Sequence, residues 1–174
     1  MDKYNVEFFP QFLNNKESSE LYRQLLPQVV LYKNKRSTVI FADEGIKYTI
    51  EYFGQTSVKE TVKWIDPLMK VKNKLETYTK EKYNVCVLQC YPNGNVGINP
   101  HRDKEMVKGT TIAGVSLGET RVLELQRGME KKEYRLNSGS LYLLNPPTNS
   151  YWTHSIRKDA TKRIRLSLTF RNYV

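Results

Sequence analysis

The period of the apolar positions changes partway along the chain. In residues 5–30, Phe8, Phe9 and Phe12 read as a short strand, after which Leu21, Leu25 and Val29 recur at helical spacing, with Ser18 or Ser19 as the cap and Pro27 as the stop. Two strand-like runs follow, Thr38–Phe41 and Lys47–Phe53, parted by the turn formers Asp43-Glu44-Gly45. A second helix is predicted from Asp66-Pro67, a capping acid followed by proline at the first helical position, to about Tyr83. Its buried face carries Leu68, Val71, Leu75 and Tyr78.

From Asn84 onward short strands take over, at 85–91, 111–117, 121–126, 132–136, 140–144, 151–156 and 164–170. Pro92-Asn93-Gly94, Gly118, Gly128, Asn137-Ser138-Gly139 and Pro146-Pro147 separate them as turn formers. Two helices followed by such a run of strands predict an α+β fold with a small jelly-roll barrel at its core. One domain over 1–174 is expected, with helices in about 1–83 and the barrel in about 84–174; this length buries a core without staples.

Composition narrows the class. Hydrophobic residues make up 39% and charged residues 26%, and no apolar run approaches the roughly 20 residues of a membrane span. The opening Met1-Asp2-Lys3-Tyr4 lacks a signal-peptide pattern, so an intracellular monomer, cytoplasmic or nuclear and without a membrane partner, is expected. Cys86 and Cys90 share one strand, where two reduced buried thiols are the plain reading and a redox or metal pair the alternative. A formal charge of +10, from 28 basic and 18 acidic residues, favours a polyanionic partner such as nucleic acid. The basic groups cluster at Lys33, Lys35 and Arg36, along Lys70 to Lys82, and at Arg157-Lys158 through Arg165; Glu76 and Glu81 mark the middle cluster as a solvated face.

The chain has only two histidines. One opens His101-Arg102-Asp103 and the other, His154, lies on a distant strand, so a barrel mouth could bring all three ligands together. Two imidazoles and a carboxylate are the ligand set of a non-heme Fe(II) oxygenase, which leaves open positions for cosubstrate and dioxygen. On the last strand Arg165, Ser167, Thr169 and Arg171 alternate with Leu166, Leu168 and Phe170. Such a strand suits a dicarboxylate held by guanidinium forks; an edge strand with exposed arginines is the other reading.

These residues carry a resemblance. His101-x-Asp103, His154, and Arg165 with Arg171 around Leu168-Thr169-Phe170 resemble the AlkB family of Fe(II)- and 2-oxoglutarate-dependent dioxygenases, in the branch that repairs alkylated DNA. Gly45-x-x-Tyr48-Thr49, Ser116-Leu117-Gly118-x-x-Arg121, Gly139-Ser140-Leu141, Asn145-x-Pro147-Thr148-Asn149 and Trp152-x-His154-Ser155 add to it, over roughly residues 36–174. The resemblance implies a double-stranded β-helix core, N-terminal helices packed on it and a short nucleotide-recognition lid. It implies Fe(II) on His101, Asp103 and His154, with 2-oxoglutarate on Arg165 and Tyr91 and O2 as co-reactant. Arg171 would lie beside the metal-bound end of the cosubstrate or the base pocket. Gln89 stands where the family has asparagine, one methylene shorter.

The implied reaction is oxidative removal of an alkyl group from a base such as 1-methyladenine or 3-methylcytosine in DNA. RNA, or hydroxylation of a protein, are the alternatives. Glu105 matches an acidic position of the base pocket, where a carboxylate favours a cationic lesion; an exposed loop acid is its plainer reading. Tyr48, Tyr52 and Trp64 are candidates for stacking on a base or for the core. The short basic segment Leu31–Arg36, with Tyr32 as its only aromatic, suggests single-stranded or flipped-out substrate. Phosphate contacts would come from Lys33, Lys35, Arg36, Arg157 and Lys158.

Overall fold

The computed structural model describes residues 3–173, apart from the Tyr52 side chain. Its elements run β1 (Val6–Phe9), α1 (Asn15–Leu25), a 3-10 turn (Leu26–Gln28), β2 (Ser37–Ala42), β3 (Thr49–Tyr52), β4 (Gln55–Val58) and α2 (Asp66–Thr79). Then come β5 (Val85–Tyr91), β6 (Ile98–His101), β7 (Ile112–Gly118), β8 (Arg121–Arg127), β9 (Glu130–Leu136), β10 (Leu141–Leu144), α3 (Thr148–Tyr151), β11 (Thr153–Ile156) and β12 (Arg165–Arg171). A six-stranded sheet in the order β1-β10-β7-β12-β5-β2 faces a four-stranded sheet, β6-β11-β8-β9, as the two halves of a jelly roll. β3 and β4 form a separate hairpin.

Alternation along β12 sets the layers. Leu166, Leu168 and Phe170 join Leu21, Leu25, Leu68, Val71 and Leu75 in one core, so both long helices cover the outer face of the large sheet. The opposite face, with Tyr91 and Tyr142, meets Leu123, Leu125, Trp152 and Ile156 in a second core between the sheets. Space there is made by Gly114, paired with Tyr142 across β7 and β10. A Cβ on Gly114 would sit 2.1 Å from the Tyr142 ring.

Local chemistry moves several expected boundaries. Helix α1 is capped by Asn14, whose side chain accepts from the Glu17 N–H at 2.8 Å while Glu17 accepts from the Asn14 N–H at 2.9 Å. Ser18 sits inside the helix, buried; a reciprocal capping box outcompetes a lone serine because it satisfies two free N–H groups at once. Pro27 lies in the 3-10 turn. In α2, Asp66 is helical and makes no side-chain cap bond, acting instead as an acid in the first turn. That helix stops at Lys80, which turns left-handed with φ 63°, so Tyr83 lies beyond it. Tyr78 is 51% exposed rather than core; its ring meets Phe9 edge-on and its hydroxyl donates to Glu7. β2 joins the large sheet beside β5, whereas β3 pairs with β4, so the two early strand-like runs belong to different sheets. Among the described residues no helix is long and apolar enough to cross a membrane.

Glu76 fastens the end of α2 to the start of β5. It accepts from the Tyr83 N–H at 2.8 Å and pairs with Lys72 at 3.0 Å and Lys82 at 3.7 Å. Burial alone would raise its carboxyl, but the Tyr83 N–H and Lys72 outweigh this and hold it below the usual range. A depressed folded-state pKa means stability that is present above the unfolded value and lost as pH falls towards the folded one. Glu76→Gln is therefore expected to lower stability near neutrality by about 1 kcal/mol or more. Urea unfolding of both proteins from pH 7 downward should show the gap closing in acid; a gap that widens there would contradict the assignment.

Candidate active site and metal centre

The site is a cavity of about 210 Å³ between the two sheets. The large sheet supplies one wall in register: Arg165 opposite Tyr91, Ser167 opposite Gln89, and Thr169 opposite Val87. On the small sheet β11 lies between β6 and β8, and His154 pairs directly with His101. The loop after β6 carries Asp103 back between the imidazoles.

His101 Nε2 lies 3.4 Å from one Asp103 oxygen and His154 Nε2 3.3 Å from the other. All three ligand atoms fall within 4.8 Å of one another. Donors about 2.1 Å from a shared first-row metal at right angles stand about 3 Å apart, so the cluster needs little contraction to bind one. The Nδ1 of His101 lies 2.9 Å from the Asn99 carbonyl, which favours protonation there and leaves Nε2 to ligate. His101 titrates above its ordinary value because Asp103 and the Asn99 carbonyl outweigh burial, which lowers it. Burial would raise Asp103, but Arg171 first, then His101 and His154, hold its carboxyl well below the usual carboxylate range. The acid is an anion ready for a cation.

The Asp103 backbone is held from outside the cavity. Asn149, on α3, accepts from the Asp103 N–H at 3.0 Å and donates to its carbonyl at 2.8 Å. The side-chain amide thus mimics a strand partner for the ligand residue. Asn149 was visible in sequence only as part of the Pro147-Thr148-Asn149 block, with no role attached.

Both β12 arginines point inward. Arg165 is 1% exposed, and Nη2 donates to Ser116 Oγ at 3.0 Å, while Nε and Nη1 have no hydrogen-bond partner among the described residues. Its guanidinium lies 5.0 Å from the Tyr91 ring centre. The Tyr91 hydroxyl reaches the Gln89 amide oxygen at 3.4 Å. A buried cation with spare donors, beside a tyrosine hydroxyl and next to the metal triad, is complementary to a carboxylate. Arg171 answers a different need: Nη1 lies 3.5 Å from Asp103 and 3.9 Å from Glu105. Burial would lower Arg171, yet Asp103 and neighbouring oxygens keep it raised and charged.

Glu105 and Tyr48 line the same cavity. Tyr48 is buried, which pushes its hydroxyl up to about 12, and its ring meets Tyr173 at 4.8 Å. The Tyr52 side chain lies outside the described residues. Trp64 is placed elsewhere: it stacks on Phe170 at 6.3 Å and donates to Asp43, on the helix side of the large sheet. It packs there against the core that the two long helices cover.

Lys35, Arg36, Arg157 and Lys158 line an adjoining cleft of about 620 Å³ that shares Ile98 and Ile156 with the cavity wall. Lys33 lies on the same segment, its carbonyl accepting from Asn93. Arg36 donates to the Gly97 carbonyl at 3.1 Å. Arg157 turns its guanidinium onto Glu133, at 2.8 and 3.3 Å, so its charge is largely matched within the protein. Sequence gave no hint of what Arg121 does. Fully buried, it donates to the carbonyls of Asn93, Val96 and Arg157 and pairs with Asp159 at 3.3 Å, tying together two loops of the cleft.

A jelly roll with two histidines and an aspartate in its mouth and a buried arginine behind them is the architecture of a metal-dependent oxygenase. The chain belongs to the 2OG-Fe(II) oxygenase superfamily, whose family model matches residues 5–171, and its relatives set it in the AlkB family. Mouse DNA oxidative demethylase ALKBH2 is 31% identical over 151 residues, 78% of this chain and 61% of that protein. Bovine alpha-ketoglutarate-dependent dioxygenase alkB homolog 3 is 25% identical over 187 residues, 93% of this chain and 64% of that protein. The chain thus spans less than two thirds of either relative. The solved structure of OsALKBH1 superposes with a TM-score of 0.72 at 12% identity, over 98% of this chain and 97% of that one. A Trichoplax adhaerens prolyl hydroxylase gives 0.68 at 12%, over 97% and 83%. Both likenesses concern the fold. Membership brings Fe(II), 2-oxoglutarate and O2 as cofactor and cosubstrates, and the donor set fits them: His101, Asp103 and His154 for the metal, Arg165 for a carboxylate.

The Asn149 clamp has a measurable consequence. Asn149→Ala is expected to weaken divalent-metal binding about ten- to a hundred-fold, the usual cost of removing a group that orients a ligand. Titration with Mn(II) in the presence of 2-oxoglutarate checks it; wild-type affinity would mean that the loop holds Asp103 unaided.

Proposed function

We propose that this protein is an Fe(II)- and 2-oxoglutarate-dependent demethylase of N-alkylated bases in nucleic acid, with 1-methyladenine and 3-methylcytosine in DNA as its substrates. The observation that carries the reading is that the metal triad, the underused Arg165 and the acid Glu105 line one cavity. Relatives called DNA oxidative demethylase support the choice of DNA.

When bound, the iron with its cosubstrates supplies oxidation of the N-alkyl carbon, coupling it to loss of CO2 and succinate and releasing formaldehyde with the base restored. The rest falls to the chain. His101, Asp103 and His154 would hold the metal, and Arg171 keeps Asp103 ionised. Arg165 would receive the far carboxylate of 2-oxoglutarate, with Ser116 aiming the guanidinium and Tyr91 and Gln89 offering polar contacts. Leu123, Tyr142 and Ile156 line the cavity and exclude water, limiting side reactions.

Adenine methylated at N1 and cytosine methylated at N3 are cations. Glu105 lowers their energy relative to neutral bases, and Arg171 fixes where that carboxylate points. A target base must leave its stack to enter, which costs a few kcal/mol in duplex and less in single strands. Lys33, Lys35, Arg36 and Lys158 flank the adjoining cleft as phosphate contacts, with Arg157 contributing less because Glu133 engages it. Single-stranded or easily melted substrate is favoured by the short segment Leu31–Arg36.

A panel of methylated single-stranded DNA, duplex DNA, RNA and peptide, read by formaldehyde and mass alongside succinate, tests the proposal. Stoichiometric demethylation of DNA with single strands faster is expected; turnover of RNA or peptide with inert DNA overturns it. Arg165→Lys should raise KM for 2-oxoglutarate about ten-fold or more, as expected for a lost charged hydrogen bond. Glu105→Gln should narrow the preference for a cationic lesion over a neutral N-alkyl base by a similar factor. An unchanged KM or an unchanged preference would remove the residue from its role.

A further inference from the structure

The β3–β4 hairpin rises from the cavity wall, where Tyr48 and Ile50 line the site. Its root is fixed: the Tyr173 hydroxyl accepts from the Thr49 N–H at 3.0 Å and lies 2.8 Å from Thr49 Oγ1. Tyr52 pairs with Gln55, which leaves Phe53-Gly54 as a two-residue turn. Both turn residues have positive φ, 50° for Phe53 and 74° for Gly54. That geometry selects Asn-Gly or Gly-Gly, and a bulky side chain at the first position is disfavoured. Phe53 is nevertheless there, and it is 89% exposed.

Phe53 occupies this strained turn while 89% exposed, and strain of this kind concentrates at ligand contacts. Its position is informative. Phe53 stands three residues beyond Ile50, roughly 10 Å along the strand, so it lies outside the cavity rather than in it. It is also at the end of the site where Tyr48, Arg171 and Glu105 gather, because β2 leads into this hairpin from its Ala42 end, next to Val85 and Arg171. Of the nine large apolar residues exposed among the described residues, six fall between Val30 and Val62, on the two segments at either end of edge strand β2.

We infer that Phe53 is an aromatic platform on which the nucleobase next to the target base stacks, holding the strand while the target occupies the cavity. The inference rests on the nucleic-acid reading above and adds a contact that none of the cavity residues supplies. A π face accepts any base, so the platform contributes affinity without sequence preference. It suits single-stranded substrate, in which the neighbouring base is free to stack.

The turn itself provides the test. Phe53→Asn places the residue that this geometry prefers, so the variant should unfold no more easily than wild type while lacking the ring; Phe53→Trp keeps a ring. The probe is a single-stranded deoxyoligonucleotide with one 1-methyladenine flanked by 2-aminopurine, bound to protein loaded with Mn(II) and 2-oxoglutarate. Wild type and Phe53→Trp should quench the 2-aminopurine through stacking. Phe53→Asn should lose the quenching and bind about five- to a hundred-fold more weakly, the range expected for one base–aromatic stack. Phe53→Asn binding within two-fold of wild type, with the same quenching, overturns the inference and leaves the demethylase reading standing. If wild type itself binds none of the oligonucleotides, the nucleic-acid reading falls and this inference with it.

Discussion

Buried guanidinium groups govern this interior. Arg121 and Arg165 are 1% exposed and Arg171 9%, and burying an uncompensated ion costs several kcal/mol. The three are compensated differently. Arg121 spends its donors on backbone carbonyls and Asp159, which makes it a structural pin. Arg171 is matched by Asp103 and Glu105, so one guanidinium orders a residue of the metal triad and a second acid of the cavity. Arg165 has one hydroxyl partner and spare donors. Of the three, Arg165 is the one with no carboxylate beside it among the described residues, and the charge that would complement it is negative.

This arrangement couples the parts of the site. Asp103 is shared by two imidazoles and by Arg171, so a metal on the triad and a cation near Glu105 draw on the same local field. In a medium less polar than water such interactions extend over several ångströms. The distance between Arg165 and Arg171 is fixed by the pitch of a single strand in the middle of the large sheet, with paired neighbours on both sides. Rigid backbone, rather than loop adjustment, sets the geometry between the two guanidinium groups.

What could be read from the sequence is what obeys a local rule. Strict alternation from Arg165 to Arg171 was enough to give both faces of β12, and Leu68, Val71 and Leu75 marked the covering face of α2. The triad was legible because histidine is so scarce in this chain. Contacts between distant residues were not legible. Asn149 and Arg121 stand out in the sequence only as members of blocks that carry the resemblance, and neither has a role until α3 sets Asn149 against the Asp103 backbone and two loops close over Arg121. Trp64 illustrates the converse: the sequence left stacking on a base and the core both open for it, and contact with Phe170 on the helix side of the sheet decides for the core. The short strand β6 escaped because Asn99 and Pro100 interrupt its apolar pattern, and its pairing with β11 is tertiary.

The hairpin tip joins these observations. Most residues that line the cavity sit on paired strands of the two facing sheets, where a change of one side chain disturbs the packing between them. The turn at Phe53-Gly54 is different: a Cβ on Gly54 would meet nothing within 4 Å, and the ring of Phe53 lies largely in solvent. A contact placed there can vary without disturbing the metal site, yet its root at Thr49 is tied to Tyr173, two residues beyond Arg171 on the chain that leaves β12. The hairpin is thereby anchored beside the strand that positions the arginines. The fold thus sets an exposed hairpin tip apart from the packed interior while tying its root to the same sheet, which is the geometry the proposed stacking contact requires.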